Sequence, residues 1–207
     1  MKPQAWPAWL RGIFLAAIPV VFAGMLALGV WQLSRLQERR AHNAEIAARL
    51  AEPPAPVTPQ LFSADLAALD YRPAEARGVF DPAQEVVWRN QARSGAPGVH
   101  VITPLRLAGG EVAVLVDRGW LPYTQAELPA RAAYPPPTGE VVIAGVLRLP
   151  ARRSADFLPA DPTLSPDLPR LDAWFWLDIE QIQAQIPYPL LPLLLVQTTG
   201  ADSQRLP

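Results

Sequence analysis

Between Gly12 and Ser34 the chain carries no charged residue: "GIFLAAIPVVFAGMLALGVWQLS". Wound as a helix at ~1.5 Å per residue, a run of that length covers the ~30 Å hydrocarbon core of a bilayer. A single span in lipid must satisfy its peptide groups internally, so a helix is the form it takes. Pro19 is a kink position, and Trp6, Trp9 and Trp31 stand where interfacial aromatics belong. A cleaved leader has a shorter apolar core, ~7–15 residues, and a small-residue cleavage site. "WQLSRL" offers no such site, so residues 1–35 are expected to form an uncleaved anchor. "LQERRAHNAEIAARL" then continues as a helix in water, until the prolines of "AEPPAPVTPQ" stop it. Residues 36–60 therefore read as a juxtamembrane helix and linker. Arg35, Arg39, Arg40 and Arg49 follow the span, against Lys2 and Arg11 before it. That count alone places the following domain on the cytoplasmic side.

From Tyr71 onward, short β-rich runs alternate with turn residues. Strands are predicted near 72–80, 84–90, 98–107, 111–121, 141–149 and 190–197. Gly109-Gly110 predicts a two-residue hairpin turn, and "QARSGAP" a looser one. Asp178 followed by Gln181 predicts a capped helix over 178–186. The 25 prolines cluster at 53–59, 135–137, 159–169 and 187–192, which reads as loops. The fold class expected is α+β, mainly β: a transmembrane helix, then a small antiparallel β-barrel-like domain over 61–200 with one short helix. Residues 201–207 form a tail.

Composition excludes much chemistry. The chain has no cysteine, so it has no disulfide, thiolate metal site or cysteine nucleophile. Its net charge of -1 gives no field for nucleic acid, and no phosphate-cradling glycine loop is present. Only two histidines occur, His42 and His100. An anchored hydrolase would rest on the loop serines Ser94 and Ser154 and scattered acids, so no enzyme is expected. His100 reads either as a metal or cofactor ligand or as a strand residue with one hydrogen bond. The ending of "VAVLVDRGWLP" is unusual for a buried strand. Arg118 has the two-pronged geometry to bind a carboxylate; a structural pair with Asp117 or a stack on Trp120 is the plainer role. Gly119 permits a tight turn, Trp120 gives an amphipathic contact face, and Pro122 closes the motif. On the helix, Trp31, Gln32 and Arg35 share a side at the membrane surface. Trp174 and Trp176 alternate in "AWFWLD" as packing residues.

Taken in order, "LGVWQLSRLQERR", "YRPAEARGVFD", "GVHVITPLRL", "VLVDRGWLP", "VVIAGVLRLP" and "FLPADPTLSPDLPRLDAWFWLDI" resemble the Surfeit locus protein 1 family of cytochrome c oxidase assembly factors. The resemblance covers residues 12 to 200. It implies a factor that helps haem a enter the oxidase catalytic subunit, or holds that subunit meanwhile. The implied cofactor is haem a, bound transiently at most. The implied partners are the bilayer, the catalytic subunit and other assembly factors. The implied place is the bacterial inner membrane with the domain outside, opposite to the arginine count; Arg35 belongs to the shared motif, which accounts for its charge. Arg39 or Arg40 stands for the family's lysine, and the chain ends at "QTTGADSQRLP", short of the family's second span and its histidine. The haem-ligand role therefore passes to no residue here. A membrane-anchored β-barrel module for another envelope partner is the alternative.

Overall fold

The computed structural model describes residues 7–127, 129–150, 158 and 160–198; Trp6, Ser154 and the tail 201–207 lie outside them. The chain divides into two compact units, Met1–Ala48 and Arg49–Pro207. The first is carried by α1 (Ala8–Leu50), with Pro19 inside the helix. Leu15, Ile18, Val21, Phe22, Met25 and Leu28 are all exposed. Length and composition make this one helix able to cross a membrane. It ends just before Pro53-Pro54, where proline forbids another turn.

The second unit contains β1 (Ala55–Pro56), α2 (Leu66–Leu69), β2 (Pro73–Phe80), β3 (Val86–Arg93), β4 (Ala96–Leu107), β5 (Ala113–Pro122), β6 (Glu140–Arg148), β7 (Ala173–Trp174), α3 (Ile179–Gln183) and β8 (Leu190–Gln197). They form one sheet in the order β1-β2-β6-β8-β5-β4-β3-β7, and β2 also pairs with β4. The pairing thus runs β2–β6–β8–β5–β4 and returns to β2. All five strands of this circuit contribute to one core cluster, which includes Ala76, Phe80, Leu105, Val114, Val116, Ile143, Leu147 and Leu193. β2 buries one face only and alternates in sequence accordingly. β5 is covered on both faces, hence its unbroken apolar run. Ala113 and Leu115 point to a second cluster, where Trp174, Leu177, Ile179 and Ile182 pack around α3. Asp178 caps α3 by accepting from the Glu180 and Gln181 amides.

The two hairpin turns are the reverse of expectation. Arg93 pairs with Ala96, so the tight two-residue turn is Ser94-Gly95, at φ 51° and 81°. A primed turn needs both central residues at positive φ, and the strand twist rewards it. At Gly109-Gly110 the loop spans four residues, Ala108 to Glu111, closed by Leu107 N–H donating to Val112 O at 2.9 Å. Pro192, which belongs to a proline cluster read as a loop and also to the strand predicted over 190–197, lies within β8 at an irregularity of its pairing with β5. Such irregular positions are where proline's missing donor does least harm.

Gly78 pairs with Val141 of β6 and Leu107 of β4, at the point where the circuit closes. A Cβ there would collide with the Arg106 carbonyl, which is backbone and cannot step aside. Gly78→Ala is expected to cost about 1–3 kcal/mol of overpacking, lowering Tm by about 5 °C. A melting curve unchanged from the parent would contradict this reading of the closure.

Candidate functional site

The register of β4 against β5 holds from Arg106↔Ala113 to Ile102↔Asp117, then slips by one, so that Val101 faces Gly119. Arg118 is the extra residue of this bulge. Gly119 follows at φ 127°, a conformation that side chains resist. The slip reverses the parity of the strand. Val114 and Val116 point to the core shared by the five strands, and Arg118 lies on that same side, its guanidinium 5.9 Å from the Phe80 ring. Past the bulge Leu121, not Trp120, takes the inward side, joining Val87, Val99 and Val101. Trp120 is thereby left half-buried on the opposite face.

Arg118 is 1% exposed and does not itself form a surface. One terminal nitrogen donates to Glu85 Oε2 at 3.0 Å and the other to Tyr134 O at 2.9 Å. The pair with Asp117 does not form, because successive strand residues face opposite ways, and the stack on Trp120 does not form, because the bulge turns that ring to the other face. Burial pushes the Arg118 guanidinium below its ordinary range, and the charge and hydrogen bond of Glu85 oppose that. Glu85 also accepts from Thr103 Oγ1 at 2.7 Å. Its other oxygen lies 3.1 Å from Arg131 Nε, a second buried cation, near enough for attraction without a hydrogen bond's alignment. Arg131 donates in turn to Asp172 at 3.0 Å.

On the outward face stands a row across three strands. Trp88 pairs with His100, and His100 with Trp120. His100 Nδ1 lies 2.7 and 2.9 Å from the two oxygens of Asp117, itself buried and also accepting from the Gly119 amide. In the neutral ring this contact puts the proton on Nδ1 and leaves Nε2 as the free acceptor. The Trp120 indole lies over Gly98, where any Cβ would strike the ring, and its N–H donates to Gln91 O at 2.9 Å. The Trp88 N–H donates to Phe175 O. Both indoles are thus fixed by their polar ends and present apolar faces. Pro122 ends β5 opposite Gly98, half-buried beside this row. The structure therefore joins His100, Trp120 and Pro122 on one surface and turns Arg118 inward behind them.

Trp31, Gln32 and Arg35 are exposed neighbours on α1, with Arg35 3.7 Å from Glu38. Trp174 is fully buried core, and Trp176 is half-buried. No group of three metal-ligating side chains occurs among the described residues. Sequence reasoning did not single out Glu85, Thr103 or Arg131. Thr103 inside apolar "VITPL" and Glu85 opening apolar "EVVW" were the available signals; nothing local marks Arg131.

Removing the Glu85 carboxylate leaves two buried guanidinium groups without their shared counter-charge. Glu85→Ala is expected to cost about 3–5 kcal/mol, against about 1 kcal/mol or less for Asp172→Ala, whose side chain is 52% exposed. Urea unfolding of the solubilised chain measures both. Equal losses would show that Glu85 is not the shared counter-ion.

The family model described as SURF1 family matches residues 19–206. A SURF1-like protein of Monosiga brevicollis is 33% identical over 177 residues, covering 80% of this chain and 62% of that protein. Surfeit locus protein 1 of Homo sapiens is 31% identical over 183 residues, 80% of this chain and 56% of that protein. The Takifugu rubripes protein of the same name is 30% identical over 184 residues, 81% and 70% respectively. The chain thus spans less than two thirds of the length of the Monosiga brevicollis and Homo sapiens relatives. Matched over nearly all of its length, the chain belongs to the SURF1 family.

Proposed function

We propose that this chain is an assembly factor for cytochrome c oxidase, the role associated with its family. The observation that carries the reading is the family match over residues 19–206, which takes in most of the apolar helix and the strand-rich unit. In this reading residues 1–35 anchor the chain in the bacterial inner membrane and 36–60 link the anchor to the domain over 61–200, which lies outside the cytoplasm. The five-strand circuit is read as a small barrel. The factor makes and breaks no bond; it holds the catalytic subunit, or eases haem a into it. Trp31, Gln32 and Arg35 would meet that partner at the membrane boundary.

The outward row is the contact surface favoured on the domain. Rigid aromatic faces with satisfied N–H groups suit an interface, because they gain area with little loss of side-chain freedom. His100, Trp120 and Pro122 would touch the partner. Arg118 and Gly119 would act through position, by setting the bulge that turns Trp120 outward.

A strain lacking the gene is expected to show lower oxidase activity and lower oxidase-bound haem a, with total haem synthesis unchanged. The parent gene should restore both, and the Trp120→Ala variant should restore them only in part. Oxidase of normal activity and haem content in the deletion strain would overturn the proposal.

A further inference from the structure

A cleft of about 690 Å³ opens on the domain between Phe80 and the turn at Pro82–Gln84 on one side and Tyr134 with Pro135, Pro136 and Pro137 on the other. That volume is in the range of small-molecule sites. Its proline walls have no N–H to offer and little freedom to lose, so they present a stiff apolar surface. Charged partners for an occupant come from the floor, where Glu85, Arg131, Arg170 and Asp172 gather, and Thr138 adds a hydroxyl.

The charges on that floor are unequal. Glu85 is shared between Arg118 and Arg131, so its charge is already spent within the protein. Asp172 balances Arg131 from the solvent side, with its own side chain 52% exposed. Arg170 is half-buried and uses one terminal nitrogen on Gln84 Oε1, at 2.7 Å, and the other on Glu85 O, at 3.0 Å. Both acceptors are uncharged, so no carboxylate is hydrogen-bonded to this guanidinium among the described residues. Two arginines thus meet two carboxylates in the lining, but Glu85 is also shared with Arg118 buried behind it, which leaves Arg170 without a carboxylate of its own.

We propose that this cleft binds the carboxylate of a small molecule with an apolar body. The carboxylate would sit against Arg170 and compete with Asp172 for Arg131, while the body lies along Phe80, Tyr134 and the prolines. Charge-assisted bonds from guanidinium to carboxylate are the strong class of hydrogen bond, and they fix orientation as well as affinity. The assignment rests on the cleft alone and not on the oxidase reading.

The test uses the full chain in lipid nanodiscs, with protein-free nanodiscs as the blank. Saturation-transfer NMR titrations compare phenylbutyrate with phenylbutanol, which share a body and differ in charge. The carboxylate is expected to bind about tenfold tighter than the alcohol, the worth of one charge-assisted hydrogen bond. Arg170→Gln should abolish that preference. Asp172→Asn should strengthen carboxylate binding, because it removes the competitor; a variant that merely misfolds cannot do that. Equal binding of the two probes, binding of neither, or loss in both variants with native circular dichroism would overturn the proposal.

Discussion

One carboxylate, that of Glu85, lies between two buried guanidinium groups and a threonine hydroxyl. Burying two arginines is tolerable only because this counter-charge is buried with them. The consequences reach across the domain. Arg118 can be the extra residue of a bulge on the inward side because Glu85 and Tyr134 O await it there. The bulge reverses the parity of β5, and the reversal sends Leu121 into the core and Trp120 to the outside. Arg131, from a short 3-10 helix over Ala130–Ala133, is held against the sheet by the same charge. Glu85 thus couples the shape of the outward aromatic row to the floor of the cleft.

The outward row and the inward network are two sides of one strand end. On the outer side Asp117 orients His100, and Gly98 makes room for the Trp120 ring. On the inner side each terminal nitrogen of Arg118 donates within the domain, to Glu85 and to Tyr134 O. A substitution at Arg118 would therefore reach a partner only by moving Trp120, and its effect would look like a contact residue's without being one. This distinction gives the family-like "VDRGWLP" segment a physical meaning: alternate residues serve opposite faces, and the glycine lets them do so.

Much of this was legible in the sequence. The uncharged run, the alternation of β2, the continuous apolar run of β5 and the Asp178 cap each follow from local chemistry, and the structure has an element at each. The turns were misread because glycine pairs were weighed above register: Ser94 takes a positive φ that its residue type does not advertise. The bulge was hidden for a different reason. A parity change is a property of two strands, and no single strand's sequence displays it. Glu85 and Arg131 were missed because their partners lie across the fold: Glu85 is 33 residues from Arg118, and Arg131 is 41 from Asp172. Only the circuit brings them together.

In the proposed role the outward row around Trp120 meets the oxidase during assembly. Site-specific photo-crosslinking in native membranes tests it most directly, with the reactive residue at position 120 or, as a reference, at Val142, which is exposed on β6. A crosslink to the oxidase catalytic subunit or a fellow assembly factor is expected from position 120 and none from position 142. Equal crosslinking from both positions, or crosslinking from Val142 alone, would contradict it.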